Sequence, residues 1–311
     1  MTDNDNLFRE DLFPGNTATF QKLQEFMSGG RITGFTGAGV SVPVYPTWTG
    51  LLQKLLNEAK SSGALTQSDE IRECEALLER DPLELADILE QRASPQVFRS
   101  RLGALFSAGN STCTESHTLL SDVGLRGVVT LNYDSGHEIA YAAKGRNPNS
   151  GKAQDDYTLT RWIQDEVFAD SDAPILHLHG VSSDPQQMIL SSSDYDKFYS
   201  QPLTQTFLSQ LWRTHRLLAV GFGFSDPFLT RIAEGALRTL PSDTRHYAFI
   251  GQRKGQPVPG ITRSIFVKKY RLEPVFYEIQ EHDQDGTEPP RVCRRPFGLS
   301  YAAMAECSIM A

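Results

Sequence analysis

Two patterns of apolar and polar positions alternate along the first part of the chain. Residues 17–28 carry large apolar side chains three and four positions apart and then reach two glycines, which predicts a helix and its end. Residues 32–35 form a short apolar run directly before further glycines, which favours a buried strand of a parallel sheet. The helical period resumes over residues 48–59. The glycines between them are therefore predicted to lie at a strand-to-helix crossing.

The same two patterns continue to about residue 280. Helical spacing predicts further helices over 69–78, 83–91, 95–106, 192–199, 203–212 and 227–240. Short apolar runs predict further strands over 127–131, 175–178, 188–190, 216–220, 247–250 and 275–277. Strands that alternate with helices indicate an α/β fold, a Rossmann-like, doubly wound parallel sheet. The polar segment 143–157, rich in Gly, Asn, Ser and Lys, is predicted to be a surface loop or lid.

The length of 311 residues allows one large domain or two ordinary ones. Because helical spacing dominates residues 52–122, we predict a helical insert inside one domain over residues 15–280. Residues 281–311 lose all periodicity, and we expect them to form a C-terminal tail.

Composition and charge exclude several classes. The net charge of −8 argues against direct nucleic-acid binding by this chain. The four cysteines lie far apart without a Cys-x-x-Cys pair, so neither a zinc site nor a disulfide framework is indicated. The acidic N-terminal residues lack the order of a signal peptide, and no apolar run reaches the ~18 residues of a membrane span. We therefore expect a cytoplasmic protein without membrane contact.

The first candidate for chemistry is the glycine-rich segment over residues 30–43, GRITGFTGAGVSVP. A residue without a β-carbon lets a bulky group lie against the backbone, and a helix N-terminus beyond such a turn offers N–H groups to an anion. A diphosphate can therefore be held here by Gly34, Gly37, Ala38 and Gly39, with the hydroxyl of Ser41. The alternative is a tight turn that only lets strand and helix approach each other.

Three more predicted strands deliver small or polar groups to the same edge, and in open α/β sheets that edge binds ligands. The strand ends carry Asn132 and Asp134, then His177 and His179, then Gly221, Gly223 and Ser225. Each has a structural alternative, since Asn, Asp and Ser also cap helices and form turns. Alternation predicts His177 and His179 on one face, so one of them can be a structural histidine.

The order of these motifs resembles the sirtuin superfamily, which binds NAD. The resemblance rests on Gly-Ala-Gly-Val-Ser at 37–41, Thr-Leu-Asn-Tyr-Asp at 130–134, His-Gly at 179–180 and the glycine-rich strand end at 221–226. It is closer to the prokaryotic sirtuin-like domains of anti-phage defence systems, whose pattern adds Pro46, Trp48, Leu51 and Leu52 and the closing segment 272–278. The resemblance covers roughly residues 15–280.

The resemblance implies NAD as substrate and hydrolysis of its nicotinamide–ribose bond, giving nicotinamide and ADP-ribose. Asn132 then orients the nicotinamide ribose or a water, and His179 acts as the base. The residues implied in NAD binding are Gly37, Ala38, Gly39, Ser41, Trp48, Thr130, Asp134, Gly221, Phe222, Gly223 and Ser225. Control of so destructive an activity implies a homo-oligomer, a partner defence protein, or both.

Departures from the pattern limit the substrate. The paired cysteines of the zinc ribbon that deacylases of this superfamily carry are missing, so no zinc is expected, and their Pro-Asp-Phe-Arg stretch is replaced by residues 46–49. Both differences disfavour an acyl-lysine substrate. Trp48 either covers the nicotinamide or packs in a core beside Leu51 and Leu52. ADP-ribosyl transfer, deacylation and noncatalytic nucleotide sensing remain alternative functions.

Overall fold

The computed structural model describes residues 10–107, 112–221, 235, 245–253 and 260–279. Its centre is a seven-stranded sheet in which every neighbouring pair of strands is parallel, in the order β3-β4-β2-β1-β5-β6-β7. The strands are β1 (Ile32–Thr36), β2 (Leu125–Thr130), β3 (Pro148–Lys152), β4 (Ala173–His177), β5 (Arg216–Val220), β6 (His246–Arg253) and β7 (Leu272–Ile279).

The described helices connect and flank these strands. They are α1 (Asn16–Ser28), α2 (Trp48–Ser61), α3 (Ser68–Arg80), α4 (Pro82–Ala93), α5 (Pro95–Ser107), α6 (Glu115–Asp122), α7 (Gly136–Ala143), α8 (Asp156–Ile163), α9 (Val167–Asp170), α10 (Ser192–Tyr199), α11 (Pro202–Thr214) and α12 (Gly260–Tyr270). None of the helices in the described ranges is long and apolar enough to cross a membrane.

Side-chain alternation along the strands gives the sheet two buried faces. Val128 and Ile175 belong to a core with α1, α6 and α7, whereas the next residues along the same strands, Val129 and Leu176, pack with α8, α10 and α11. Burial on both faces explains why these strands read as continuous apolar runs. The predicted Rossmann-like, doubly wound parallel sheet is therefore confirmed.

Helices α2 to α5 build a separate core beyond the sheet. Leucines along α2 and α4 pack with Phe98 and Phe106 of α5, and Tyr133, Met188 and Leu190 join the same cluster. The last three residues follow β2 and β4, so the helical layer packs against loops at the carboxyl edge of the sheet. This layer spans residues 48–107 and overlaps the helical insert predicted over 52–122, whereas the domain boundaries stay a prediction.

A buried arginine fastens the helical layer to those loops. The guanidinium of Arg99 donates to both carboxylate oxygens of Glu90 on α4, to Asp194 on α10 at 2.8 Å and to the main-chain oxygen of Met188. Burial acts to lower the pKa of Arg99, but the hydrogen bonds and charges of the neighbouring carboxylates together outweigh it, so the pKa is raised.

Two sequence predictions about the fold are wrong. Residues 188–190 are not a strand; the run is apolar because Met188 and Leu190 face the helical core. Residues 143–157 are not simply a loop, because they contain the edge strand β3, whose polar and glycine-rich sequence lacks any apolar signal. The predicted helix over 227–240 lies outside the described residues except for residue 235, and the tail over 281–311 lies wholly outside them.

Candidate active site

Four in-register strand ends define the candidate site. Thr36 of β1 pairs with Thr130 of β2 on one side and with Val220 of β5 on the other, and Thr130 pairs with His177 of β4. The loops that carry the sequence motifs therefore leave the sheet from one row. The chain runs from β1 to strands on one side of it and later to β5 on the other, so the β1/β5 boundary is a topological switch point, where open α/β sheets bind ligands.

The glycines at this boundary let two loops touch. The amide of Gly39 donates to the main-chain oxygen of Gly221 at 3.0 Å, and that of Gly37 donates to Val220 at 3.1 Å. A β-carbon at Gly39 would stand 2.8 Å from the α-carbon of Gly221. Gly221 also has a φ of +64°, in the left-handed region that favours glycine. Close approach of backbone to backbone is therefore the visible reason for these glycines.

The same contacts use most of the amides that a phosphate would need. Between residues 37 and 41, the amides of Gly37, Gly39, Val40 and Ser41 all donate to main-chain oxygens within the loop pair. A diphosphate at this turn would rely on the Ala38 amide and on the small surface of the glycines. Gly34 lies inside β1, where a β-carbon would meet Leu125 at 3.0 Å, so its role is packing.

Asn132, Ser41 and Asp134 form a buried hydrogen-bonded chain between the ends of β1 and β2. The amide nitrogen of Asn132 donates to the hydroxyl of Ser41 at 2.7 Å and lies 3.1 Å from the Gly37 oxygen. Ser41 in turn donates to Asp134 at 2.7 Å, and Asp134 also accepts the Gly136 amide. The Asn132 carboxamide is therefore held in one orientation.

His179 lies in an aromatic enclosure one strand away from Asn132. Its ring is 3% exposed, contacts the rings of Tyr195 and Phe198, and its Nε2 lies 2.8 Å from the Tyr199 hydroxyl. Burial lowers the pKa of His179 to about 3, so the imidazole is neutral, as a general base must be.

His177 does not share the environment of His179, contrary to the alternation predicted from the sequence. Strand β4 ends at His177, and the chain turns before His179. His177 Nδ1 donates to the Asn132 main-chain oxygen at 2.8 Å, while Nε2 lies 2.7 Å from a carboxylate oxygen of Glu138 on α7. Because both nitrogens face acceptors, this ring is doubly protonated.

The His177–Glu138 pair is thus a buried ion pair. Burial opposes the charge of each partner, but their hydrogen bond raises the pKa of His177 and lowers that of Glu138 to about 2. The hydrogen bond from His177 to the Asn132 main-chain oxygen connects this ion pair to the candidate site. Glu138 could not be predicted as a site residue, because a single acid in the first turn of a helix carries no distinctive signal in the sequence.

A cavity of ≈ 690 Å³ opens at the same edge, beside β2, β3 and β4. Most of the residues that line it have polar or charged side chains, among them Tyr133, Asp134, Glu138, Lys152, His177 and Ser182. Its volume falls within the range of roughly 300–1,000 Å³ that is usual for small-molecule sites. Asp134 links the cavity to the hydrogen-bonded chain described above.

Of the remaining predicted site residues, the structure describes some, and others lie outside the described ranges. Thr130 is buried, and its hydroxyl accepts the Asn132 amide. Trp48 begins α2 and packs, partly buried, against the core that contains Leu51 and Leu52, which agrees with the core alternative. Phe222, Gly223 and Ser225 lie outside the described residues. In the described ranges, no group of three or more His, Cys, Asp or Glu side chains is arranged to hold a metal ion.

Comparison with known proteins gives a consistent result. Residues 126–275 match the model of a family described as SIR2-like domain. The chain is also similar to an NAD(+) hydrolase ThsA of Cytobacillus dafuensis, with 23% identity over 79% of this chain and 46% of the relative. A ThsA of Bacillus cereus (strain MSX-D12), also named NAD(+) hydrolase, is 26% identical over 72% of this chain and 44% of its own length.

The chain spans about half the length of the curated relatives it matches. The family model covers the chain from β2 into β7, as far as residue 275, and the all-parallel sheet with flanking helices is consistent with the α/β fold of a SIR2-like domain. Residues 126–275 therefore match a SIR2-like domain, and the similarity to both ThsA proteins supports a sirtuin-like domain in this chain.

Proposed function

We propose that this chain is an NAD hydrolase that cleaves the nicotinamide–ribose bond. The observation that carries the proposal is the buried chain from Asn132 through Ser41 to Asp134 at the carboxyl edge of the sheet, beside the β1/β5 switch point. Similarity to proteins named NAD(+) hydrolase supports the choice of substrate.

Cleavage of the nicotinamide–ribose bond requires little assistance from a general acid. Nicotinamide is bound to ribose as a cation, so when the bond from its nitrogen to C1′ breaks, the electron pair returns to the ring and nicotinamide leaves neutral. Water then bonds to C1′ and releases one proton. The protein therefore needs to orient the sugar and the water, exclude bulk solvent and accept a proton.

Asn132 is the orienting group in this proposal. Its amide nitrogen is committed to Ser41 and Gly37, so the carboxamide cannot rotate freely. A fixed amide dipole can position a ribose hydroxyl or the attacking water without being reorganised during the reaction. Asp134 stabilises this arrangement through Ser41.

His179 is the proposed proton acceptor. Asn132 and His179 each follow by two residues the paired positions Thr130 and His177, which end the neighbouring strands β2 and β4. The Tyr199 hydroxyl contacts Nε2, so a ribose hydroxyl that reaches this nitrogen displaces the tyrosine hydroxyl or acts through it.

Nicotinamide release measured by chromatography tests the proposal. We expect Asn132→Ala and His179→Ala each to lower the rate by about 10²- to 10⁴-fold, the usual effect of losing a positioned catalytic group. Tyr157→Ala is the control, because Tyr157 is 69% exposed and lies on α8. If both site variants, correctly folded, release nicotinamide at the wild-type rate, the assignment is wrong.

The same assay separates hydrolysis from the alternative reactions. Hydrolysis yields free ADP-ribose in equal amount to nicotinamide, whereas ADP-ribosyl transfer leaves ADP-ribose attached to protein and deacylation requires an acylated peptide. NAD that binds tightly without turnover, with the genomic neighbours of the chain present, would instead indicate a sensor.

The proposal extends to the biological setting. The likeness to sirtuin-like domains of anti-phage defence systems supports NAD depletion in the cytoplasm as the output, with activity held back until a homo-oligomer or a partner protein releases it. Comparing nicotinamide release by the chain alone and with its genomic neighbours, together with its mass in solution by light scattering, tests this part.

A further inference from the structure

His117 on α6 lies directly beneath the candidate site and is fully buried. A β-carbon at Gly136 would stand 2.4 Å from the His117 ring, so the ring occupies the space that a side chain there would need. The ring of His137 also contacts the His117 ring, edge to face, with a centroid distance of 4.7 Å. The position of His117 is therefore fixed by its surroundings.

Hydrogen bonds at the start of α6 determine which nitrogen of His117 carries the proton. Thr114 precedes the helix, and its main-chain N–H, which can only donate, lies 3.2 Å from His117 Nδ1. Nδ1 is therefore an acceptor. In a neutral imidazole the other nitrogen must then carry the hydrogen, so Nε2 is the donor.

This donor faces the carboxylate that orders the site. His117 Nε2 lies 3.8 Å from Asp134 Oδ1, and it has no hydrogen-bond partner among the described residues. The distance exceeds that of a direct hydrogen bond, but at this separation the N–H dipole and the buried carboxylate still attract each other. Hydrogen bonds in unliganded sites are commonly long and shorten when substrate binds.

We propose that His117 is a positioning residue, whose Nε2–H holds the Asp134 carboxylate and, through Ser41, fixes the orientation of Asn132. The inference rests on the proposed NAD cleavage. A second connection supports it, because the Thr114 hydroxyl lies 2.9 Å from His117 Nδ1 and 2.5 Å from the Val40 oxygen of the glycine-rich loop, and its single hydrogen is donated to one of these two acceptors. Helix α6 is thus linked to both components of the site.

The charge state of His117 agrees with this role. Burial lowers the pKa of His117, while the carboxylates of Asp134 and Glu138 act in the opposite direction. A neutral ring keeps Nδ1 as the acceptor that α6 requires. A protonated ring would turn Nδ1 into a second donor against the Thr114 amide.

Two matched variants separate positioning from helix capping. In His117→Asn the side-chain oxygen can replace Nδ1 as acceptor for Thr114, but no donor reaches Asp134. In His117→Gln the longer amide can replace the Nε2 donor. We expect kcat for nicotinamide release to fall by about 10²-fold in the asparagine variant, as for other small displacements of reacting groups, with little change in KM. The glutamine variant should retain much more activity.

A double-mutant cycle with Asp134→Asn tests the proposed connection. If His117 acts through Asp134, His117→Asn should lower kcat further by little once Asp134 is replaced. Equal activity of the Asn and Gln variants, or additive losses in the cycle, would overturn the inference. Thermal unfolding of every variant verifies that each rate belongs to a folded protein.

A measurement independent of catalysis separates failure of this inference from failure of the proposed function. Nitrogen-15 NMR of the histidine rings should show His117 protonated at Nε2 in the wild-type protein, with that signal shifted in Asp134→Asn. Protonation at Nδ1, or a Nε2 signal that is unchanged in Asp134→Asn, contradicts the inference whether or not NAD is cleaved. Absence of nicotinamide release with the expected NMR result contradicts only the proposed function.

Discussion

Alanine at Gly221 is the most informative perturbation of the loop contact that shapes the site. The φ of +64° places an ordinary residue in the left-handed region, which costs about 1–2 kcal/mol. A β-carbon there would also stand 2.5 Å from the Val40 nitrogen, and overpacking of this kind costs about 1–3 kcal/mol. We therefore expect Gly221→Ala to lower the free energy of unfolding by about 2–5 kcal/mol.

Two other glycines separate the causes of that loss. Gly63 has a φ of +79° and nothing within 4 Å of the added β-carbon, so Gly63→Ala should cost only the backbone term of about 1–2 kcal/mol. Gly39 lacks a positive φ, but its β-carbon would meet the Gly221 α-carbon at 2.8 Å, about 0.7 Å inside the usual contact distance. Gly39→Ala should therefore cost only the contact term.

Urea unfolding of the three variants measures these free energies, and nicotinamide release measures the effect on the site. Separating the loops moves the Gly37 oxygen, which the Asn132 amide contacts. We expect slower release from Gly39→Ala and Gly221→Ala and a normal rate from Gly63→Ala. A Gly221→Ala protein no less stable than Gly63→Ala would refute the steric reasoning.

Three further predictions concern buried ionisable residues. Arg99→Met should cost about 3–5 kcal/mol in urea unfolding, because it removes the buried guanidinium that pairs with the partly buried carboxylates of Glu90 and Asp194. Arg92→Met is its control and should cost at most about 1 kcal/mol, since the Arg92 side chain is 50% exposed; equal costs would contradict the role of burial. The ring of His179 should show no NMR titration between pH 8 and pH 5, because its pKa lies at about 3, and a midpoint near 6.5 would contradict this. Stability should decrease from pH 7 to pH 5, because the pKa values of His179 and His246, about 3 and about 4, lie below that of the unfolded chain. Below pH ~6.5 each of these two histidines lowers the free energy of unfolding by up to about 1.4 kcal/mol per pH unit, and above that pH neither lowers it. The raised pKa of His177 has the opposite effect on stability. A urea midpoint that rises over this interval would contradict the prediction.

The sheet was largely predictable because its strands are buried on both faces. β1 and β5 consist of short apolar runs bounded by turn residues, and such runs identify strands directly. β3 was not predicted, because it lies at the sheet edge and its sequence, PNSGK, contains no apolar run that would indicate a strand. The apolar run over 188–190 was wrongly predicted to be a strand, because its apolar residues are buried by tertiary contacts with the helical layer and not in the sheet.

The site was predictable only in part. The motif order placed Ser41, Asn132 and Asp134 at one edge, and the structure joins them by hydrogen bonds. Local sequence could not show that the glycine-rich loop uses its amides internally, because this depends on contact with Gly221, about 180 residues away along the chain. His117 was missed for a similar reason, since a single histidine on an amphipathic helix is typical of an ordinary core residue.

A crystal structure of the Asn132→Ala variant with NAD bound tests the central claim most directly. The account predicts the diphosphate at the Gly37–Gly39 turn and Gly221, with the nicotinamide ribose between position 132 and His179. It would be contradicted by NAD bound elsewhere, or by a nicotinamide ribose that lies away from both residues.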